Sequence, residues 1–325
     1  MGKTAVIFPG QGSQYPGMGK DFYEQYGEAR SIYEIAAAAT GLDVKTICFT
    51  ENDKLNQTEF TQIAMLATEI AMYKTVQSLG LKGDLFAGLS LGEYAALAAA
   101  GVMASEDCFK VIRKRGILMQ NAYPVGGGMA AIIGLSGEKV EAVLTDQESD
   151  DRTDNEKQSA PIQSRFGIVT IANYNCPGQI VISGELNALD AASKALSDAG
   201  AKRCIPLKVS GPFHSALLKE AGMGLAKELE NIELKNPEIP YITNVDASYV
   251  KEKTHIKDLL TRQIYSSVRW QQSMERMIAD GVDTFIEIGP GKTLKGFMKK
   301  IDASVTCYSI GTVDEMNNVL EELNS

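Results

Sequence analysis

The stretch Gly88-Leu89-Ser90-Leu91-Gly92-Glu93 decides the fold of this chain. It follows a short apolar segment, Asp84 to Gly88, typical of a strand, and it opens an alanine-rich segment, Gly92 to Met103, typical of a helix. In this context, the Gly-x-Ser-x-Gly pattern predicts a sharp turn that exposes the serine hydroxyl, with a helix N-terminus directed at the site. Ser90 is therefore a candidate nucleophile. The alternative is a tight turn with glycine on both sides, in which the serine has no catalytic role.

Bulk properties restrict the class of protein. The chain has 325 residues, 44% of them hydrophobic and 22% charged, which predicts a globular enzyme with one large domain or two unequal ones. The net charge of −9 argues against nucleic acid as a partner. No apolar run approaches a membrane span, and the N-terminus starts a strand rather than a signal peptide. The five scattered cysteines include no Cys-x-x-Cys, so free thiols and a cytoplasmic location are expected.

Histidine is scarce, and this narrows the chemistry. The chain has only two histidines, which excludes a three-histidine zinc site, and we expect neither a metal nor a cofactor. His214 lies in a Gly-Pro loop after a predicted strand, where a general base for a distant serine can lie. His255, between Lys253 and Lys257, is typical of a solvent-facing helix. His214 is the better candidate for the base; the alternative is a loop histidine with a structural role.

The order of predicted elements indicates an inserted domain. After Gly126 to Gly128 the pattern reads β-α-β-β-α-β up to Val209, the order of a ferredoxin-like unit. Two of its strands are predicted on either side of a connection from Asn173 to Gly178. We therefore predict an α/β fold with a catalytic domain over 1–127 and 206–325 and a ferredoxin-like domain over 128–205. The acidic segment 146–164 has no periodicity and is predicted to be a surface loop.

Two glycine-rich stretches resemble nucleotide-binding motifs, but the spacing of their glycines matches neither motif. The loop Pro9 to Gln14 would need glycine at Tyr15 to be a dinucleotide fingerprint. The loop Gly289 to Thr293 would need glycine at Ile286 to be a phosphate loop. We therefore expect neither nucleotide-binding motif.

Taken together, these stretches resemble one family, the malonyl-CoA:acyl carrier protein transacylases of fatty acid synthesis. The resemblance covers nearly the whole chain. Its matching stretches are Phe8 to Gln14, Gly88 to Tyr94, Arg115-Gly116 with Met119-Gln120, Asn173 to Asn175 with Pro177 to Gln179, Phe213 to Ser215, Arg262-Gln263 and Gly289 to Gly291.

The resemblance implies an α/β-hydrolase-like large domain with a ferredoxin-like insert. It also implies acyl transfer in two half-reactions through malonyl-Ser90, with His214 as base and with malonyl-CoA and acyl carrier protein as partners of a monomer. The backbone carbonyl of Gln263 would fix the imidazole, and the backbone N–H groups of Gln11 and Leu91 would hold the oxyanion.

The same resemblance implies the substrate-binding residues. Arg115 would hold the malonate carboxylate, and Gln62, Asn173 and Asn175 match positions near the pocket. Phe213, beside the base, is bulky and would crowd an α-methyl branch on the acyl group. The family usually has histidine where this chain has Leu89, so the polarity of the pocket is expected to differ. It usually has proline where this chain has Ile63.

Three other functions remain open from sequence. A serine esterase or thioesterase shares the Gly-x-Ser-x-Gly pattern. A transacylase that loads a polyketide synthase would use the same chemistry. A non-catalytic interaction protein is disfavoured by the intact set of Ser90, His214 and Arg115. The basic residues Lys110, Arg113 and Lys114 suggest a docking patch for an acidic carrier protein, although such clusters are usually solvated faces.

Overall fold

The computed structural model describes residues 2–145 and 162–324. The predicted acidic loop lies outside the described residues as far as position 161, and from Ile162 to Phe166 the chain is a short helix rather than loop. Among the described helices, none combines the length and the apolar character needed to cross a membrane.

The described strands are β1 (Lys3–Phe8), β2 (Leu85–Gly88), β3 (Gly127–Ile133), β4 (Val169–Cys176), β5 (Gln179–Glu185), β6 (Arg203–Pro206), β7 (Tyr241–Ile242), β8 (Tyr249–Val250), β9 (Val282–Ile288) and β10 (Thr306–Ile310). The described helices are α1 (Lys20–Gln25), α2 (Gly27–Thr40), α3 (Val44–Phe49), α4 (Thr58–Ser78), α5 (Gly92–Ala99), α6 (Ser105–Ala122), α7 (Gly137–Thr145), α8 (Ile162–Phe166), α9 (Leu186–Asp198), α10 (Lys219–Glu230), α11 (Ile256–Gln263), α12 (Trp270–Ala279), α13 (Thr293–Ile301) and α14 (Val313–Asn324).

The larger sheet places the loops that carry the motifs on one edge. Its strand order is β10-β9-β1-β2-β7-β8, parallel from β10 to β7, with β8 antiparallel at the end. Ala5 to Phe8 in β1 and Leu85 to Gly88 in β2 are buried, as expected for parallel strands covered on both faces. Because parallel strands end at the same edge of a sheet, the loop after β1, the turn after β2 and the loop after β9 converge there.

The smaller sheet is antiparallel and draws its strands from residues 127–206, in the order β4-β5-β3-β6. Its apolar face packs against α7 and α9 through residues such as Ile132, Ile182 and Leu196. The segment after α11 pairs with β4 through backbone hydrogen bonds, from Tyr174 N to Val268 O at 3.0 Å and from Val268 N to Ala172 O at 2.8 Å. The same segment reaches the larger sheet, because Arg269 N donates to the carbonyl of Asn244, shortly after β7, at 2.8 Å. The side chains of β4 are thereby anchored beside the larger sheet.

One prediction about this region is wrong in its boundaries. The stretch from Asn173 to Cys176 belongs to β4 instead of a connecting loop, because bulges at Ile171/Asn173 and Tyr174/Cys176 keep the strand paired with β5. The consequence for function is that Asn173 and Asn175 project from a strand, alternating with Tyr174. Side chains on a paired strand are held more firmly than side chains on a loop.

Candidate active site

The turn at Ser90 has the strained geometry that the sequence pattern predicts. Ser90 has a φ of 54°, in the left-handed region. A Cβ at Gly88 would collide with the backbone of Gly92, and a Cβ at Gly92 would collide with the carbonyl of Phe8. Only glycine fits at these two positions, because β1, β2 and α5 meet there at backbone contact distance. The close approach places the Ser90 hydroxyl at the N-terminus of α5.

Ser90 and His214 form a hydrogen-bonded pair although they are 124 residues apart. Ser90 Oγ lies 2.8 Å from His214 Nε2, and His214 Nδ1 lies 2.8 Å from the backbone carbonyl of Gln263. A carbonyl oxygen only accepts hydrogen bonds, so His214 carries its proton on Nδ1 and presents the lone pair of Nε2 to the serine hydroxyl. His214 also has a positive φ, of 58°. The imidazole is oriented as a base that can take the Ser90 proton.

The protonation state of His214 suits that role. Burial, together with the positive charge of Arg115, lowers the pKa of His214 from 6.5 to about 4. His214 is 4% exposed. At neutral pH the imidazole is therefore neutral and able to accept a proton.

Arg115, on α6, is fully buried, and the side-chain atoms that accept its hydrogen bonds are neutral. Its Nη1 donates to Gln62 Oε1 at 2.7 Å, and its Nη2 donates to Gln263 Oε1 at 3.0 Å and to Ser90 Oγ at 3.1 Å. Its Nε has no hydrogen-bond partner within the described residues. Burial lowers the pKa of Arg115 from its ordinary value. Since no carboxylate in the described part of the chain accepts a hydrogen bond from it, this guanidinium has the chemistry to bind an anion next to Ser90.

Two residues that line the cavity with Ser90, namely Gln11 and Leu91, have backbone N–H groups of interest. Gln11 follows β1, and Leu91 precedes the first residue of α5. Within the part of the chain that the structure describes, neither N–H donates a hydrogen bond to another group. Both residues line the same cavity as Ser90. This pair of free donors has the composition of an oxyanion hole.

A cavity of about 310 Å³ joins these groups. Gln62, Arg115, Phe213 and His214 line it from the side of the larger sheet. The smaller sheet contributes polar Asn173 and Asn175 and the apolar residues Met129, Ala131 and Val181. Leu89 also lines the cavity, so its wall is apolar where a histidine would be polar. The structure thus brings the predicted site residues into one cavity, with Gln263 directly behind it; their individual roles stay predictions.

A wider cavity of about 650 Å³ reaches His214 from another side and is lined by Arg262 and Arg269. It includes neither Ser90 nor Arg115. Because the reacting groups lie in the smaller cavity, we take that one as the site.

Sequence reasoning missed two residues under the turn. Asn244, after β7, accepts from Ser90 N at 2.7 Å and donates to Gly88 O at 2.7 Å, so it fastens both sides of the turn. Glu93, in the first turn of α5, is fully buried and accepts hydrogen bonds from Gln263 Nε2 and Asn244 N. Burial raises the pKa of Glu93 to about 7 against the opposing effects of these bonds and of Arg115. Glu93 belongs to the quoted motif, which was the only signal that could have singled it out.

The structure does not support the predicted docking patch on α6. Lys110 pairs with Glu106, Arg113 with Glu59, and Lys114 with Glu228. These ion pairs neutralise the patch. A different set of cations lies on α13, a helix that lines the cavity with Leu294 and Phe297 and carries Lys295 and Lys299 as exposed residues.

A serine on a strand-turn-helix turn, paired with a histidine and next to a buried arginine, fits the class of enzymes that transfer acyl groups. Accordingly, the chain belongs to the acyl transferase family, whose model, described as Acyl transferase domain, matches residues 5–313.

Proteins with similar sequences and structures indicate which group of acyl transferases the chain resembles. The malonyl CoA-acyl carrier protein transacylase of Bacillus subtilis is 40% identical over 325 residues, which is 99% of this chain and 98% of that protein. The solved structure of the malonyl CoA-acyl carrier protein transacylase from Clostridium perfringens matches with a TM-score of 0.91 and 40% identity, covering 99% of this chain and 97% of that chain. The resemblance predicted from sequence is confirmed.

A further solved structure contains a carrier protein. It is a type II PKS acyl-carrier protein in complex with its malonyl-transacylase, and it matches with a TM-score of 0.90 and 36% identity over 98% of this chain and 99% of that chain.

Proposed function

We propose that this chain transfers the malonyl group of malonyl-CoA to the phosphopantetheine thiol of acyl carrier protein, through a malonyl ester of Ser90. The observation that carries the proposal is the position of Ser90 Oγ, at 2.8 Å from the neutral His214 imidazole and at 3.1 Å from the buried Arg115 guanidinium. One neighbour accepts the proton of the nucleophile, and the other is an anion-binding group at the distance where an acyl substituent of Ser90 would lie.

In the first half-reaction, Ser90 Oγ attacks the thioester carbonyl while its proton moves to His214 Nε2. The N–H groups of Gln11 and Leu91 hold the oxyanion of the tetrahedral intermediate, and the carbonyl of Gln263 stabilises the imidazolium through Nδ1–H. As the carbon–sulfur bond breaks, His214 returns the proton to the thiolate of CoA. The products are malonyl-Ser90 and free CoA.

The second half-reaction is the reverse sequence with another thiol. His214 takes the proton of the phosphopantetheine thiol, and the sulfur attacks the carbonyl of malonyl-Ser90. The ester bond breaks, and the proton on Nε2 goes to Ser90 Oγ. The carrier protein leaves as a malonyl thioester, and the enzyme returns to its starting state.

Arg115 provides the selectivity for a diacid. The free carboxylate of malonate replaces the Ser90 hydroxyl as the acceptor for Nη2, and Nε supplies a second donor. Asn173 and Asn175 offer polar atoms to the same pocket from β4, and Gln62 holds Nη1 in place. A neutral acyl group would leave this buried guanidinium without an anion.

We also propose the finer description of the fold. The smaller sheet has the order 4-1-3-2 when its strands are numbered from β3, which is the order of a ferredoxin-like domain. It would be inserted over 128–205 into an α/β-hydrolase-like domain formed by 1–127 and 206–325. The pocket would then lie between an inserted domain and the domain that supplies the nucleophile.

We place the reaction in fatty acid synthesis, in the cytoplasm, with the chain acting as a monomer. The five free cysteines fit a reducing compartment. Loading of a polyketide synthase is the second candidate, favoured by the match to a malonyl-transacylase in complex with a type II PKS acyl-carrier protein. A serine esterase is disfavoured, because Arg115 gives the pocket an anion-binding group that ester hydrolysis does not need.

The test is the covalent intermediate. We expect wild type to gain the mass of one malonyl group on mixing with malonyl-CoA and to lose it on adding carrier protein in its phosphopantetheine form. Ser90→Ala should fold and gain no mass. An adduct that persists in Ser90→Ala would overturn the nucleophile, and release of free malonate at the same rate with and without carrier protein would overturn transfer in favour of hydrolysis. Offering carrier proteins of both pathways distinguishes fatty acid from polyketide synthesis.

A further inference from the structure

We propose that Glu93 is a positioning residue that fixes the carboxamide of Gln263 with its oxygen toward Arg115, and thereby orients the guanidinium that binds the free carboxylate of the acyl group. The inference rests on the proposed function and extends it to a residue below the pocket. Glu93 touches neither substrate nor reacting atoms; it acts through Gln263.

The hydrogen bonds of Gln263 define which way its carboxamide points. Its Nε2 donates to Glu93 Oε2 at 2.6 Å and to Ser90 O at 3.0 Å, and it lies 3.4 Å from Asn244 Oδ1. All three of these atoms are acceptors. The other end, Oε1, accepts from Arg115 Nη2 at 3.0 Å. Reversing the carboxamide would place oxygen against acceptors and an NH₂ group against the guanidinium, so both ends would lose their bonds.

Among the three acceptors, Glu93 makes the strongest hydrogen bond with Nε2. Its bond is the shortest, and it is the only one of the three acceptors that carries a charge when ionised. Ser90 O and Asn244 Oδ1 are neutral, and Asn244 Oδ1 already accepts from Ser90 N. Without the carboxyl group, the remaining bonds would hold the Gln263 carboxamide more weakly.

Glu93 is itself rigidly held for this task. It is fully buried in the first turn of α5, and Asn244 N donates to the same Oε2 at 3.2 Å. Its Oε1 has no hydrogen-bond partner within the described residues. A proton on Oε1 therefore leaves Oε2 as an acceptor, and a glutamine at this position can offer its carbonyl oxygen in the same place. A side chain without an acceptor cannot.

This difference supplies the experiment. Purified full-length Glu93→Leu and Glu93→Gln are compared with wild type in the rate of Ser90 acylation by malonyl-CoA and by acetyl-CoA, each as kcat/KM. We expect Glu93→Leu to lose roughly tenfold to hundredfold on malonyl-CoA, mostly in KM, because a misplaced Arg115 weakens a charge-assisted bond. Acetyl-CoA makes no use of Arg115, so its kcat/KM should stay within about threefold of wild type. Glu93→Gln should retain the selectivity of wild type.

A double-mutant comparison tests the route of action. Gln263→Met removes the carboxamide but keeps the backbone carbonyl that accepts from His214. If Glu93 acts through Gln263, adding Glu93→Leu to Gln263→Met should cause little further loss of malonyl selectivity. Glu69→Leu is the matched control: Glu69 is a fully buried glutamate in the middle of α4, outside the pocket, and it should leave the malonyl-to-acetyl ratio unchanged.

The results of these assays distinguish a wrong role for Glu93 from a wrong proposed function. Equal losses on malonyl-CoA and acetyl-CoA in Glu93→Leu would mean a merely structural role, and additive losses with Gln263→Met would mean a route that bypasses Gln263; either overturns the inference. If leucine prevents folding, Glu93→Asp replaces it, because aspartate is one methylene too short to reach Gln263. Failure of wild type to form the malonyl adduct would overturn the proposed function instead.

Discussion

Replacing Arg115 with alanine tests the selectivity of the pocket most directly. The guanidinium is fully buried, its Nη2 lies 3.1 Å from Ser90 Oγ, and no carboxylate among the described residues accepts a hydrogen bond from it. A malonyl carboxylate on Ser90 would accept two charge-assisted hydrogen bonds, each contributing about 1.5–3 kcal/mol. Their sum of about 3–6 kcal/mol corresponds to a loss of about 10²–10⁴-fold in the rate of acylation by malonyl-CoA.

The same substitution should favour neutral acyl groups. In wild type, an acetyl group would displace the guanidinium from Ser90 Oγ without supplying an anion, whereas Arg115→Ala has no buried charge to satisfy. The ratio of malonyl to acetyl transfer should therefore fall by more than the malonyl rate alone. Arg115→Lys should restore only part of it, because an ammonium cannot reproduce the fork of the guanidinium.

The assay is the time course of Ser90 acylation, followed by intact mass with either acyl-CoA. Arg115→Ala leaves Gln62 Oε1 and Gln263 Oε1 without a donor, at about 1–3 kcal/mol each, so thermal unfolding must be measured first and rates taken well below the midpoint. Arg113→Ala is the matched control, since Arg113 lies on the same helix but pairs with Glu59. If Arg115→Ala kept the preference of wild type for malonyl-CoA over acetyl-CoA, the carboxylate would be bound elsewhere.

Three further predictions concern the base, the carrier protein and the acyl branch. His214→Ala should lose about 10²–10⁴-fold in kcat while His255→Ala stays near wild type. The pKa of His214 is lowered to about 4, so the imidazole stays neutral as the pH falls and kcat/KM should decline only toward pH 4. A decline in kcat/KM near pH 6.5 that is due to His214 would contradict its assignment as the base. Reversing the charges of Lys295 and Lys299 on α13 should raise KM for acyl carrier protein, whereas the control Lys110→Glu on α6 should leave it unchanged. An equal rise in KM from the α13 and α6 variants would show that the carrier protein does not dock specifically on α13. Phe213→Ala should raise the rate with methylmalonyl-CoA relative to malonyl-CoA in competition assays, because Phe213 lines the pocket beside His214, and an unchanged ratio would mean that another wall excludes the methyl branch.

Much of the site was predictable because its chemistry is encoded locally. The glycines around Ser90 are fixed by backbone contact, so the motif alone predicts the turn, and the scarcity of histidine leaves His214 as the better candidate for the base. The mixed α/β class follows from the strand and helix patterns. The resemblance to a family supplied Gln263, Gln11 and the substrate-binding residues, whose roles the local pattern does not specify.

The remaining features depend on partners distant in sequence. Asn244 fastens a turn 154 residues before it, and nothing around Asn244 in the sequence indicates that turn. The cluster of Lys110, Arg113 and Lys114 resembled a free basic patch because Glu59 and Glu228, which neutralise two of its members, belong to other helices. The extension of β4 to Cys176 depends on bulges that only pairing with β5 reveals. Local periodicity carries no information about such long-range pairing.

The backbone at the two reacting residues places activity and stability in opposition. Among the described residues, positive φ outside glycine occurs at Ser90, His214 and Ala247, so two of the three such positions belong to the reacting pair. Each such conformation costs on the order of 1–3 kcal/mol, against a typical net stability of about 5–15 kcal/mol for a whole domain. Glycine at either position would relax the backbone, but at Ser90 it would remove the proposed nucleophile and at His214 the proposed base. Selecting variants for thermal stability alone would therefore favour substitutions that reduce activity. A screen for more stable variants of this enzyme must also measure turnover.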